Sequence, residues 1–305
     1  MKKRTNLFAS NGTSSMSKLF IFGFGFSSEE IARQSSESFD TIFGTSRSEE
    51  KAASFSEQGV QGLVFDGECF SDDVQVCLAS VTHLVMSIAP GDDDPVLSLM
   101  STGLRRACPK LEWAGYLSTV GVYGNHDGDW VDEETELKPV SKRSVQRVNA
   151  EKAWIDAAKA ADIPLGIFRL SGIYGPGRNA FMNIERGTAR RMVKPGQVFN
   201  RIHREDIGQA VAKAMAGKIG GIFNITDDEP APPQDVVAYA HELMGVEPPP
   251  EIDFETADIS PMARSFYGEN KRVSNDKSKQ ILGMNYRWQN YRVSLKRMLE
   301  EGIWQ

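Results

Sequence analysis

The sequence predicts an α/β protein built on a doubly wound parallel sheet with a small C-terminal subdomain, and three observations point there. From Lys18 onward, short apolar runs alternate with longer amphipathic segments, the pattern of successive βαβ units. The first apolar run ends in a glycine-bearing turn that opens a helix-like segment. Beyond Arg169 the character changes to helical stretches broken by Pro-marked turns.

The strand candidates, in order, are KLFIFG, DTIFGT, GLVFD, THLVMSI, LEWAGYLS and PLGIFRL. Several carry apolar residues at consecutive positions, as strands covered by helices on both faces must. After Pro139, the residues Val145, Val148, Ile155 and Ala158 fall at helical spacing, which predicts a helix packing that face on the sheet or on a partner. GGIFNITDD reads as one more strand, about residues 221–226, returning to the main sheet, and Gly245 followed by Pro248 reads as a helix stop. These signals divide the chain into a nucleotide-binding domain over 16–175 and a capping, substrate-binding subdomain over 176–305. Residues 1–15, MKKRTNLFASNGTSS, read as a disordered tail ahead of Met16.

Composition narrows the classes. With 305 residues and a formal net charge of -6, the chain lacks the excess of Lys and Arg that nucleic acid or anionic lipid would require. Cys69, Cys77 and Cys108 are odd in number and lack C-x-x-C spacing, so neither a disulfide framework nor a cysteine zinc site is indicated, and a cytoplasmic location is expected. No apolar run approaches the roughly 20 residues of a membrane helix. The acidic run from Asp127 to Glu134 reads as a solvated face, and no metal is expected.

The turn after the first strand, GFGFSSEEIA, places Gly23 and Gly25 at the first two positions of a G-x-G-x-x-G pattern and Ser28, beside Ser27, at the third. Gly23 permits the tight turn, Gly25 lets backbone approach a pyrophosphate, and Ser28 supplies a small residue for helix packing, the features of a Rossmann dinucleotide site. Glu29 and Glu30 run against this reading, because carboxylates in the first helical turn compete with phosphate for the positive helix end. An NAD-selective site places an acid at the end of the second strand, and here that place reads Thr45, Ser46, Arg47. Arg47 and two hydroxyls suit a 2′-phosphate, so NADP is expected in preference to NAD. Asp66, after the third strand, is placed to meet the adenine. Ser87, Ala89 and Pro90, after the fourth, border the cofactor's middle.

The stretch YLSTVGVYG (116–124) with Glu133 and Pro139, then RLSGIYGPGR (169–178), NRIHREDIGQAV (200–211) and FNITDDEP (223–230), resembles in order and spacing the extended short-chain dehydrogenase/reductases of the NAD-dependent epimerase/dehydratase group, and in detail their atypical, YeeZ-like branch. The resemblance covers nearly the whole chain. It implies an NAD(P)-dependent oxidoreductase or epimerase acting on a nucleotide-sugar-like or other polar small molecule, and a homodimer formed through two helices. It makes Thr119, beside Ser118, the residue that positions a substrate oxygen. The same resemblance calls for a Y-x-x-x-K-x-x-x-E run, but the chain offers R-S-V-Q-R-V-N-A-E ending at Glu151, so Arg143 stands in the Tyr slot and Arg147 in the Lys slot.

A guanidinium cannot shuttle a proton near neutral pH, so the usual base is missing. Arg147 remains suited to a cofactor ribose and Arg143 to an anionic substrate group. Tyr123, Tyr174, Arg178, Arg201 and Asn224 are further substrate candidates, with Arg204 a phosphate contact. Two functions follow: an enzyme with a relocated base, or a module that holds NADP and reports its state to a partner without turnover.

Overall fold

The structure, a computed structural model, describes residues 16–305, so the predicted N-terminal tail lies outside it. In chain order the strands are β1 (Lys18–Phe22), β2 (Thr41–Ser46), β3 (Gln61–Val64), β4 (His83–Met86), β5 (Trp113–Thr119), β6 (Trp130–Val131), β7 (Leu165–Leu170), β8 (Gly172–Tyr174), β9 (Arg191–Val193), β10 (Arg201–His203), β11 (Gly221–Ile225), β12 (Glu251–Asp253) and β13 (Arg272–Val273). The helices are α1 (Phe26–Ser35), α2 (Glu49–Ser54), α3 (Asp72–Leu78), α4 (Leu104–Ala107), α5 (Lys142–Ala161), α6 (Ala180–Glu185), α7 (Arg204–Gly217), α8 (Pro233–Met244), α9 (Pro261–Phe266), α10 (Asp276–Ile281) and α11 (Tyr291–Glu300).

Seven strands form one parallel sheet in the order β11-β7-β5-β4-β1-β2-β3. Each of the six apolar runs read from the sequence supplies one of its strands, and the run at 221–225 supplies the edge strand β11. The strand order reverses between β1 and β4. In an open α/β sheet that reversal leaves a crevice at the carboxyl ends of the strands, where ligands bind.

Alternation along β1 shows how the layers are filled. Leu19 and Ile21 enter one apolar cluster with Ile31 and Ala32 of α1 and Ile207, Ala210, Val211 and Ala214 of α7. Phe20 and Phe22 enter the other, with Val74 and Leu78 of α3, Leu104 of α4, and Ala150 and Trp154 of α5. The sheet is thus covered on both faces, which accounts for the unbroken apolar runs. A separate cluster of Phe181, Ala240, Trp288, Tyr291, Leu295 and Met298 joins α6, α8 and α11 into a small C-terminal lobe. Three short parallel pairs, β8 with β10, β9 with β12, and β6 with β13, lie outside the main sheet. Gly245 ends α8 in the left-handed region (φ +66°), as its position before Pro248 predicts.

One expectation needs correction. The helix after Pro139 forms as α5 with Ala158 buried and Val148 packed on a core cluster as expected, but Val145 and Ile155 are exposed, and the buried residues are Ser144, Ala150, Glu151, Trp154, Ala158 and Ala161. The stripe escaped an apolar reading because it contains a serine and a glutamate. Their burial is possible because partners answer them, Ser141 at the start of the helix for Ser144, and Ser118 and Arg169 on the sheet for Glu151.

Candidate functional site

The crevice begins at the turn after β1. Gly23 has φ +82°, and a Cβ there would lie 2.8 Å from Ile88 Cγ1, so the turn lies against the segment that follows β4. Its N–H donates to Thr45 Oγ1 at 2.8 Å, the Phe24 N–H to Thr45 O at 2.8 Å, and Ser28 Oγ donates to Gly23 O at 2.9 Å. Ser28 therefore fastens the turn while filling the small-residue position. Gly25 is different: its backbone is extended, no side chain caps the helix it begins, and nothing lies within 4 Å of where a Cβ would stand. Uncapped first-turn amides beside open space are what a pyrophosphate requires.

The two acids that argued against an anion here are accounted for. Glu29 pairs with Arg204 at 3.1 Å, and Glu30 is buried and accepts from Arg33 and Gln34. Arg204 and Arg178 also lie over the Phe26 ring, at 4.4 and 5.8 Å, so two cations from the C-terminal half stand beside the start of α1. Ser27 is buried in that same first turn.

At the end of β2, Ser46 Oγ accepts from the Ser48 N–H, while Arg47 is exposed and its guanidinium has no hydrogen-bond or ion partner among the described residues. Asp66 is exposed after β3, its carboxylate accepting from the Glu68 N–H at 2.8 Å. Ser87, Ala89 and Pro90 follow β4. Thr45 needs correction as a direct cofactor contact. It is buried, and its hydroxyl already accepts from Gly23, so it shapes the turn instead.

The residues fit a dinucleotide: a glycine turn against β4, open space at Gly25, uncapped amides, and no acid at the end of β2.

At the end of β5 the chain separates two environments. Thr119 is half-buried; its Oγ1 accepts from the Gly121 N–H at 3.1 Å and keeps its own proton to donate. Ser118 points elsewhere, donating to Glu151 Oε1 at 2.5 Å, and Glu151 pairs with Arg169 at 2.8 Å. Arg169 donates to the Tyr123 hydroxyl at 3.0 Å, Tyr123 to Asn224 Oδ1 at 2.7 Å, and the Asn224 N–H to Glu133 Oε1 at 2.7 Å. Burial pushes the Tyr123 phenol up to about 12. Ser118, Tyr123 and Asn224 therefore belong to a buried polar chain, and a ligand in the cavity does not meet them. Their hydroxyl and amide groups were expected at the site. The chain's demand for satisfied buried charges takes them inward.

Above this chain lies a cavity of about 870 Å³ whose wall includes Thr119, Gly121, Ser141, Arg143, Ser144 and Arg147. Tyr174, Arg178 and Arg201 line it from the other half, with Phe199, Phe266, Tyr267, Glu269 and Lys271. Arg143 is exposed, lies over the Phe266 ring at 5.8 Å from its centroid, and has no hydrogen bond or ion pair among the described residues. Arg147 is partly engaged: its Nη1 donates to Leu117 O at 2.6 Å and to the Tyr116 hydroxyl at 3.3 Å. Arg201 donates to the carbonyls of Phe199 and Ala231, and the Tyr174 phenol, raised well above its usual pKa by burial, donates to Ser294 Oγ at 2.7 Å.

Lys271 and Glu269 were not foreseen. Lys271 is buried, donates to Gly124 O at 2.8 Å and pairs with Glu269 at 2.7 Å, and burial lowers its pKa. Nothing in a run of KRVSN distinguishes this lysine from a surface one. Arg169 did leave a signal, since an arginine inside the apolar strand PLGIFRL requires a buried acid.

The wall carries Arg143, Arg147, Arg178, Arg201 and Lys271 against the single carboxylate Glu269. With a seven-stranded parallel sheet, a glycine turn at its switch point and this cationic cavity in place, comparison with known proteins is informative. A conserved protein of unknown function from Silicibacter pomeroyi is 44% identical over 95% of this chain and 100% of its own length, with a TM-score of 0.86. The chain belongs to the same family as this Silicibacter protein. Family members are joined in fold by dTDP-glucose 4,6-dehydratase of Bacillus anthracis in complex with NAD, 17% identical over 94% of this chain and 98% of that one, TM-score 0.71. UDP-glucuronic acid 4-epimerase of Bacillus cereus in complex with NAD is 18% identical over 92% and 96%, TM-score 0.70. The fold is therefore that of the NAD-dependent epimerases and dehydratases. No family model and no curated protein matches the sequence. No helix of the described residues is long and apolar enough to cross a membrane.

Proposed function

We propose that the chain binds a nicotinamide dinucleotide, NADP in preference to NAD, and acts on a polar, anionic small molecule as an oxidoreductase or epimerase/dehydratase-like enzyme of the atypical branch. The observation that carries this is the pairing of an open, uncapped α1 N-terminus at Gly25 with the unpartnered Arg47 at the end of β2. Gly23 and Gly25 admit the pyrophosphate, Arg47 and Ser46 take the 2′-phosphate, and Asp66, Ser87, Ala89 and Pro90 border the adenosine and the middle of the cofactor. The bound cofactor supplies hydride chemistry at its nicotinamide ring.

The chain's own residues do the rest. Thr119 Oγ1 donates to the substrate's reacting oxygen, and the cationic wall holds the substrate's negative charge. Arg143 and Arg147 serve as hydrogen-bond donors and hold no place in proton transfer. Lys271 Nζ, buried at the cavity wall and held by Gly124 O and Glu269, adds to the positive charge that an anionic substrate meets.

The experiment is a calorimetric titration with NADPH and NADH. A charged hydrogen bond to phosphate is worth about 1.5 to 3 kcal/mol, so NADPH is expected to bind about tenfold more tightly or better, with Arg47→Ala narrowing the gap. Equal affinities in the parent would remove the NADP assignment.

A further inference from the structure

The cavity's positive charge is unevenly committed. Arg201 is engaged by two backbone carbonyls, Lys271 by Glu269 and Gly124, and Arg147 by Leu117 and Tyr116. Arg178 leans over Phe26 toward the start of α1, the pyrophosphate end. Arg143 and Arg178 make no side-chain hydrogen bond among the described residues, and of these two Arg143 is the one at the Thr119 end of the wall.

Its position along the cavity follows from the contacts of Gly121. A Cβ at residue 121 would lie 3.2 Å from Ser144 Oγ and 3.4 Å from Thr119 Oγ1. The first turn of α5 therefore touches the end of β5, and Arg143, within that turn, belongs to the Thr119 end of the cavity. Ser141 and Ser144 brace the turn: the Ser144 N–H donates to Ser141 Oγ, and the two hydroxyls are 2.9 Å apart. The Phe266 ring backs the guanidinium from the opposite segment.

We propose that the ligand's negative charge sits on its reacting half: a carboxylate close to the carbon that bears the hydroxyl or carbonyl met by Thr119, bound bidentately by Arg143. One unengaged guanidinium matches one monoanion, and its planar fork matches a carboxylate. A phosphate monoester, with its higher charge, would call for a second free cation at the same end. The inference rests on the reading of the crevice as the nicotinamide site and deepens it by naming the substrate class, a hydroxy or oxo acid. Such an acid exists free or as the uronate part of a sugar nucleotide.

The test compares acids with their neutral counterparts by calorimetry, in saturating NADP+ and again without it: UDP-glucuronate against UDP-glucose, and gluconate against sorbitol. At least one acid is expected to bind about tenfold more tightly than its partner, and the pair in which this occurs identifies the source. Arg143→Ala is expected to bring the two affinities within about twofold. Because the Arg143 side chain makes no hydrogen bond among the described residues, the variant's Tm should match the parent's. The absence of acid preference in both pairs, including no binding of any of the four, overturns the proposal, as does a preference that survives Arg143→Ala. Failure to bind NADP+ or NADPH overturns the proposed function instead, and the titrations without cofactor then decide this inference separately.

Discussion

Arg169 and Arg143 both belong to elements that meet at the end of β5, yet their surroundings differ completely. Arg169 lies in register with Ser118 on the adjacent strand, is 3% exposed, and spends its guanidinium on Glu151 and Tyr123. Arg143 is in the first turn of α5, exposed, with only an aromatic ring for company. The same side chain serves stability in one place and is left open to a ligand in the other. The difference teaches that commitment of a charge, more than its residue type, separates scaffold from site in this molecule. A buried ion pair answers itself, whereas an unanswered guanidinium at a cavity wall stays hydrated until an anion arrives.

The largest effect that would sharpen this contrast is on stability. Arg169→Ala leaves Glu151 buried beside Ser118 without its counter-charge, and such a loss costs about 3 to 5 kcal/mol. Urea denaturation should show it as a large fall in midpoint, together with weakened packing of α5. A loss below about 1 kcal/mol would mean that water reaches Glu151 and that the buried chain is not closed.

A smaller effect concerns pH. His203 is fully buried, stacks on Trp288 with ring centroids 3.9 Å apart, and its pKa falls from 6.5 to about 3 through burial. In the unfolded chain the ring protonates below its ordinary pKa, while in the fold it stays neutral. The unfolded state thus binds more protons, and stability is lost as pH falls from about 6.5 toward about 3. Asp206, raised from 3.8 to about 6 by burial, acts in the opposite sense as pH falls through its own window. His203→Gln removes only the first contribution. The Tm difference between parent and variant should therefore move in the variant's favour between about pH 7 and about pH 5. A constant difference would show that His203 protonates within the fold.

How much of this was legible in the sequence depends on whether a residue's role is local. The seven strands, the glycine turn and the missing acid before Arg47 are local features, and each reads directly from spacing and residue type. The buried chain is not local. Ser118, Tyr123 and Asn224 look like site residues because they lie at or just beyond strand ends at the crevice, and only the pairing of β7 with β5 and β11 shows them turned toward Glu151 and Arg169. The buried face of α5 was missed for the same reason, since Glu151 counts as polar until Arg169 is placed beside it. Lys271 reaches the cavity through the pairing of β13 with β6, a contact across nearly half the chain that no spacing rule anticipates. Glu29 and Glu30 erred in the other direction: they look hostile to a phosphate until Arg204, Arg33 and Gln34 are seen to hold them.

The most direct test of the cofactor crevice is at Gly25. Its backbone is extended (φ -151°, ψ -161°), a conformation open to any residue, and no protein atom occupies the space beside it. Gly25→Val should therefore fold with a Tm close to the parent's while placing its methyl groups where the pyrophosphate must approach. Calorimetric titration with NADPH is predicted to give loss of binding in this variant, at least a hundredfold by order of magnitude, or about 2.7 kcal/mol. Binding of NADPH to Gly25→Val with the parent's affinity would contradict the account, because the open space at the start of α1 would then not be the cofactor's.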